Sequence, residues 1–588
     1  MQKKPLPSDS LTGLVLKRAL DTASSQTGLK LQPLVNDKQE AAVEPIAVAS
    51  LWVDRDNNCL TLQLLGSSES INAWLRWNLF RLLIKHRNLL HETNSLEVLS
   101  TKLDEGKLTL TLEMPKQLNK VFNREYFRVE LNQRLSLPVT LHLDGLNITG
   151  ALDDFSAGGC RVSLSPQLAL HFIRPIEQPL LCTITFPNGE QLSSRFEMTY
   201  LKPQESFVNA SLGCHFQHET AQDEKACLRY SFEIEREVAR LSNVQRTVKQ
   251  QSSLFEAINK PAVNKESVNK KGTLDAGFSP IAALLVPPRY ATKIQVLADQ
   301  LALQVLLLAM SKKLEPNKLK PLAIDFIEAL EANENAARLA LQQPNASINP
   351  VILHTMRVIS HAYPLVFKIG ISNSLSLPVM MSLLLHDLGK LFVSEQPCFN
   401  PLKLMPDNLR LLKQHQIQLL RAAGALRWIP PTIGESLMVN ANERLDGSGY
   451  PRGLQQNKLD SLSRLLSVCK VLDCLVHGYN DPAMRWRDAY KWVHRHQHWF
   501  DLPMLQVFIK HYGLRPLNTQ VVYSGGYLAK VTEVDKQGEI IEVILLKSVN
   551  HPTSVIEGKR ITGTAELAKL GKIKSTLGIN STANPSAS

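Results

Sequence analysis

Cysteine is scarce, with eight in 588 residues, no CxxC pair, and only Cys469 and Cys474 close together. That density argues against a disulfide framework and leads us to expect a reducing compartment. Long apolar runs are missing too. The nearest approach to a membrane span, PIAALLVPPRY, is cut by prolines and Arg289, short of the ~18–20 apolar residues a span needs. The opening MQKKPLPSDSLTG is basic but lacks the apolar centre of a signal peptide. A cytoplasmic protein with no membrane span is expected. Glycine-rich phosphate loops, serine nucleophile elbows and internal repeats are absent as well. Nor does one sign of charge dominate: Lys plus Arg is 66 against 54 for Asp plus Glu, a formal +12. So mild a bias permits an anionic small ligand, and no nucleic-acid partner is expected.

What is present suits several folded domains. The length exceeds the usual ~150 residues per domain several-fold. Apolar residues at 44% and charged residues at 20% supply real cores. Residues 1–44 show no clear pattern. VASLWVD and CLTLQLL, separated by RDNN, read as a hairpin, INAWLRWNLFRLLIKHRNLL at 71–90 as a helix, and KLTLTLEM as a strand. Together 45–118 is expected to be a β-rich unit with one inserted helix. Short strand candidates then fill 119–217: YFRVEL, PVTLHLDG, CRVSLS, LLCTITFP, SSRFEMTYL and SLGCHFQH, suggesting an antiparallel barrel closed by a helix over 222–245. The polar, Lys-rich stretch 246–278 reads as a linker and 279–344 as a helical connector. Helical periodicity then runs to about 515, alternation returns over 518–548, and 551–588 is a tail with an end expected to be disordered. The fold class is multidomain α+β: a β domain, a β-barrel, an all-α half and a small C-terminal β segment.

Two constellations carry chemistry. FNREYFRVEL sets Arg124 and Arg128 four residues apart, and DDFSAGGCRV supplies Asp154, Ser156, Gly158 and Gly159 in a turn opening a strand. Guanidinium forks clamp phosphates or a guanine edge, and Asp and Ser in a tight turn meet the remaining groups of the base. RxxxR followed by DxSxxG resembles the PilZ domain over about 120–240. The resemblance implies cyclic di-GMP bound on Arg124, Arg128, Asp154, Ser156 and Gly159. The preceding β unit looks like the companion domain of flagellar-brake proteins. Asn123 stands where many relatives carry another Arg, a position that in the family influences whether one or two ligand molecules bind.

In the helical half, LLLHDLGKLF and NERLDGSGYPRGL lie about sixty residues apart. An adjacent His–Asp pair offers two ligands to a divalent metal. HDLGK with DGSGYP resembles the HD-GYP branch of HD phosphohydrolases over roughly 345–550, whose active members hydrolyse cyclic di-GMP at a multi-metal centre. The resemblance assigns metal ligands to His354, His386, Asp387 and His415, all present. It assigns others to Ala441, Asn442 and Lys470, where the ligand side chains are lost, and the upstream glutamate has no acidic match near Val351. A lysine in place of a ligand aspartate changes the local charge by two units beside a dication, and its ammonium can take the metal's place. His386, Asp387 and Glu443 are then expected as a buried network around Lys470, with DGSGYP kept as a turn. Asp473, one turn on, could replace the lost ligand only if its helix shifted.

His494 and His498 in WVHRHQHWF read as one turn apart on an amphipathic helix rather than as a zinc site, and Lys265, Lys270 and Lys271 as solvated linker charges. The expectation is a cyclic di-GMP receptor with a degenerate HD half acting as output or interaction platform, an unidentified protein partner, and no required cofactor. Ligand would reorient the flanking domains through the 246–278 linker. The alternative is a working phosphodiesterase gated by the barrel, needing iron or manganese, with Lys390 as its candidate catalytic residue.

Overall fold

The computed structural model describes residues 10–577 apart from 12–15, 17–19, 21–28, 37–38, 41–45, 121–126, 132–134, 242–250, 257–284, 393–408, 411, 415–416, 418, 420–428, 551–555 and several shorter gaps. The chain divides into two compact units, Met1–Phe127 and Arg128–Ser588.

The first unit is built on one sheet. Its strands are β1 Ser10–Leu11, β2 Lys30–Asn36, β3 Gln39–Glu40, β4 Ile46–Asp54, β5 Cys59–Leu65, β6 Leu79–His86, β7 Leu89–Thr93, β8 Leu96–Asp104, β9 Lys107–Glu113 and β10 Leu118–Lys120, with helix α1 at Ser68–Trp74. The order is β1-β10-β7-β6-β8-β9-β5-β4-β2-β3, and an added β2–β6 pairing closes the middle strands into a ring. Leu60, Leu62, Leu64, Phe80, Leu82, Leu108 and Leu110 fill it. The helix expected over 71–90 stops at Trp74. LFRLLI also carries period two, with Phe80, Leu82 and Ile84 buried, and antiparallel pairing with β2 and β7 selects that reading.

The second unit opens with another ring of strands: β11 Val129–Glu130, β12 Pro138–Leu143, β13 Leu146–Ser156, β14 Gly159–Leu164, β15 Leu180–Thr185, β16 Gln191–Pro203 and β17 Ala210–Gln217. They run in the order β11-β13-β12-β15-β16-β17-β14, closed by β13–β14. The short helix α2, Pro166–Ala169, follows β14, and α3, Ala221–Leu241, follows β17. A reciprocal cap starts α3: Thr220 Oγ1 accepts from Asp223 N at 3.2 Å and Asp223 Oδ2 accepts from Thr220 N at 2.9 Å. Most of 246–278 lies outside the described residues. The described piece, 251–256, packs back on the barrel, with Phe255 edge-on to Phe186 and Asn188 N donating to Leu254 O.

The helical half supplies α4 Pro288–Ser311, α5 Pro316–Ala332, α6 Glu334–Gln342, α7 Pro350–Lys368, α8 Ser376–Leu385, α9 Pro431–Gly434, α10 Ser461–His477, α11 Trp486–Arg495 and α12 Leu502–Tyr512. The centre is α7, apolar on nearly every side and buried from Val351 to Tyr363. Two stretches, Pro288–Met310 and Asn373–Phe392, do reach the length and mean hydropathy of a membrane span, contrary to the sequence expectation. Both are mostly buried inside the unit, 56% and 72%, as befits core helices. Beyond α12, β18 Gln520–Tyr523, β19 Tyr527–Val534 and β20 Ile540–Ser548 form the expected C-terminal strands. The stretch read as a tail adds β21 Arg560–Thr562, α13 Thr564–Ala568 and β22 Ile573–Leu577 to that sheet, in the order β21-β20-β19-β18-β22.

Candidate functional sites

Two clusters of polar side chains stand out, one on the barrel and one inside the helical half.

On the barrel, β11 pairs Glu130 with Asp154 of β13, which brings Arg128 beside the same strand. Arg128 Nη1 donates to Asp154 Oδ1 at 2.7 Å. The other oxygen, Oδ2, lies 3.2 Å from Arg161 Nε on β14. Asp154 is thus a nearly buried carboxylate bridged by two guanidinium groups. Sequence reasoning missed Arg161. Its signal was available, since period two from Gly159 puts residue 161 on the same face. Ser156 and Asp154 sit on the end of β13 rather than in a turn, and the turn itself is Ala157–Gly158. Ser156 Oγ donates to Gly159 O at 2.9 Å. Gly159 has φ +155°, and a Cβ there would come within 2.1 Å of Cys214 O, so no larger residue fits against β17. Arg124 and Asn123 lie outside the described residues.

In the helical half, His354 projects from α7, His386 and Asp387 follow α8 directly, and Lys470 and Asp473 project from α10. The Asp387 carboxylate is the hub. Oδ1 accepts from Lys470 Nζ at 2.8 Å and Oδ2 from Lys390 Nζ at 2.6 Å, while His354 Nε2 lies 3.2 Å from Oδ2. Burial would raise the Asp387 pKa, but Lys390 and Lys470 override it and hold the carboxyl well below its usual range. Burial opposes the charge on Lys390, yet Asp387 raises that lysine above its ordinary value. Lys470 goes the other way: burial lowers it, Asp387 offsets part of the loss, and repulsion from Lys390 adds to it. Lys470 Nζ also donates to Asn442 Oδ1 at 2.7 Å.

A second carboxylate backs the first. Asp473 Oδ2 accepts from His354 Nδ1 at 2.6 Å and from Tyr479 OH at 2.7 Å, and Oδ1 lies 3.0 Å from His477 Nδ1. Asp473 therefore orients His354 and does not stand in for the lost ligand. His386 Nδ1 donates to Leu383 O at 2.6 Å, which leaves Nε2 as a buried lone pair with no partner among the described residues. Burial first, and then Lys470, push this imidazole down to about 3. His354, His386 and Asp387 keep their ligating atoms within 4.8 Å of one another.

The sequence matches the PilZ domain over residues 122–233 and the HD domain over residues 334–503. The chain carries a PilZ domain followed by an HD domain. Curated relatives of this PilZ–HD chain include a cyclic di-GMP phosphodiesterase of Pseudomonas aeruginosa, 27% identical over 36% of the chain and 53% of the relative. Another is a 3'3'-cGAMP-specific phosphodiesterase of Vibrio cholerae, 29% identical over 21% of the chain and 28% of the relative. The chain thus spans about half or less of these proteins. Among solved structures, YcgR of Escherichia coli in complex with c-di-GMP is 14% identical with a TM-score of 0.29, covering 41% of this chain and 99% of that one. An HDGYP protein from Bdellovibrio bacteriovorus is 13% identical with a TM-score of 0.33, covering 65% and 98%.

Within the HD domain, Glu443 departs from expectation. Its carboxylate accepts from Arg452 N at 2.6 Å and Leu454 N at 3.0 Å, closing the DGSGYP loop on itself instead of joining the network around Lys470. Asn442 takes that place. Asp446 Oδ2 accepts from Trp499 Nε1 at 2.9 Å, and a Cβ on Gly449 would strike Arg444 N at 2.3 Å, so the loop is a tight turn. Ala441 is buried beside it, and His415 lies outside the described residues. His494 and His498 do not share a helical turn, because α11 ends at Arg495 and His496 stacks on Trp492 with ring centroids 3.9 Å apart.

Proposed function

We propose that the chain is a cyclic di-GMP receptor whose PilZ barrel holds the dinucleotide on Arg124, Arg128, Asp154, Ser156 and Gly159, with an HD domain that does not cut it. The observation that carries the first half is the Asp154 carboxylate bridged by Arg128 and Arg161 beside Ser156 and Gly159. Partly exposed guanidinium groups can exchange a carboxylate for a phosphate or guanine edge with little change in geometry. The names of the curated relatives point to cyclic dinucleotides as the ligand class.

The second half rests on Asp387. A divalent ion at His354, His386 and Asp387 would compete with two ammonium groups already on that carboxylate. One ammonium about 4 Å from a dication costs roughly 8 kcal/mol at an effective dielectric of 20. The donors present do not fit a two-metal centre, and without two metals neither the attacking nor the leaving oxygen of a phosphodiester is clamped. Lys390, the candidate catalytic residue of the rival reading, is committed to Asp387. The rival phosphodiesterase has in its favour the three donors within 4.8 Å and the phosphodiesterase names of the curated relatives. Metal content of the purified chain separates the two, since stoichiometric iron or manganese would support the enzyme.

Calorimetric titration of cyclic di-GMP tests the receptor. Saturable binding that Arg128→Ala abolishes is expected, and the stoichiometry would report the effect of Asn123. No heat and no saturation with wild type would end the proposal.

A further inference from the structure

The PilZ barrel and the HD domain touch directly, and the contact is polar at its centre. Gln167 of α2 is buried between them. Its Nε2 donates to Asp299 Oδ1 on α4 at 3.1 Å, and its Oε1 accepts from Asn349 N at 3.0 Å. Asn349 is the cap of α7, its own side chain accepting from Val351 N at 2.9 Å, and His354 lies just over one turn further along. Asp299 is tied in as well, accepting from Gln295 Nε2 at 3.1 Å, while Gln295 Oε1 accepts from Ser347 Oγ at 3.0 Å. A single amide side chain therefore fastens the entry of the central HD helix to the barrel.

The other end of the same element is the barrel's arginine–aspartate cluster. Strand β14 begins at Gly159, carries Arg161, and runs without interruption through Leu164 and Ser165 into α2. Six strand residues at ~3.3 Å each make a stiff connection of about 20 Å. The strand cannot slip locally at its start, because Gly159 is pressed against Cys214 O of β17, and six register pairs hold it to that strand. Arg161 sits on this strand opposite Asp154 of β13, so a displacement of β14 at that pair is carried to α2 at its far end.

We propose that Gln167 transmits occupancy of the barrel to the first turn of α7, so that the HD domain senses the dinucleotide through β14 and α2. This coupling rests on the receptor reading above. It is a route separate from the polar linker, most of which lies outside the described residues. Two part-buried hydrogen bonds on one side chain have defined partners to lose, and a packed strand–helix element shifts between discrete arrangements rather than bending smoothly. A ligand that draws the guanidinium groups from Asp154 supplies the bias, and Gln167 is where the HD domain feels it.

The test is amide hydrogen exchange on the full chain, with and without saturating cyclic di-GMP, read in peptides covering 345–356, alongside calorimetry on the same samples. In wild type, ligand should change exchange there by about fivefold, the effect of one hydrogen bond. Gln167→Met, close in size, should bind with affinity within about threefold of wild type but lose that change, since its effect is local. Gln167→Glu keeps the acceptor for Asn349 N but faces Asp299 with a second carboxylate, and should lose the change too. Ligand bound by wild type with no change over 345–356 would overturn the coupling and leave the receptor standing. A change that persists in both variants would do the same. Wild type that binds no ligand by calorimetry would overturn both.

Discussion

At the level of single residues, Lys470 decides what the HD pocket can hold. Its ammonium donates hydrogen bonds to Asp387 and Asn442, where the resemblance to HD-GYP proteins expects an aspartate. Lys470→Asp should let the chain retain a divalent ion. Elemental analysis after purification with manganese should rise from none toward one ion per chain, and an unchanged, metal-free variant would contradict this. Lys470→Met should destabilise by about 3 kcal/mol, because Asp387 keeps a buried charge with half its compensation; urea denaturation reads this. The lysine itself was legible in the sequence, at a position where the resemblance expects an aspartate. The choice between Asn442 and Glu443 as its partner was hidden, because it depends on how the loop closes on the carboxylate of Glu443.

His361 supplies a pH dependence away from that pocket. It is buried among the rings of Trp486, Phe508 and Tyr512. Burial, aided by Arg338, holds its pKa well below the usual 6.5. The sign follows from linkage. Above about 6.5 both folded and unfolded chains carry it neutral, and as pH falls below that the unfolded chain takes up a proton that the folded chain refuses. Stability should therefore fall by about 1.4 kcal/mol per pH unit on the acid side. Urea midpoints at pH 7.5 and 5.5 check it, and His361→Leu should show a shallower loss. Equal slopes in both proteins would refute the assignment.

Elements show where pattern reading succeeds and where it yields to context. The strands of 180–217 were legible because alternation and turn residues agree. β13 was not, although it carries Asp154 and Ser156: LNITGALDDFS is broken by glycine and two aspartates that usually mark loops. Gly150 is there because a Cβ would meet Val162 Cγ1 at 2.6 Å, and the aspartates are tolerated because arginines neutralise them. The strand at 79–86 was hidden in a run that fits either period. Gly159 is the point where element and site coincide. Gly159→Ala should push β14 off β17, cost about 2–3 kcal/mol of barrel stability, and abolish ligand binding. Thermal denaturation and calorimetry test both, and a stable, binding-competent variant would show that the close approach to Cys214 is dispensable.

Across the whole molecule, the PilZ and HD domains fold into one unit from Arg128 onward, with the barrel seated on α4 and the cap of α7. The HD core sets His354, His386 and Asp387 close together, while two lysines hold the carboxylate at its centre. Under the proposed function, this arrangement is a nucleotide reader in one domain and a responder in the other. The most direct measurement is to incubate the full chain with excess cyclic di-GMP and manganese, separate protein from free nucleotide, and chromatograph what is released on denaturation. The account predicts intact cyclic dinucleotide in stoichiometric amount. Recovery of the linear dinucleotide or GMP, or of no nucleotide at all, would contradict it.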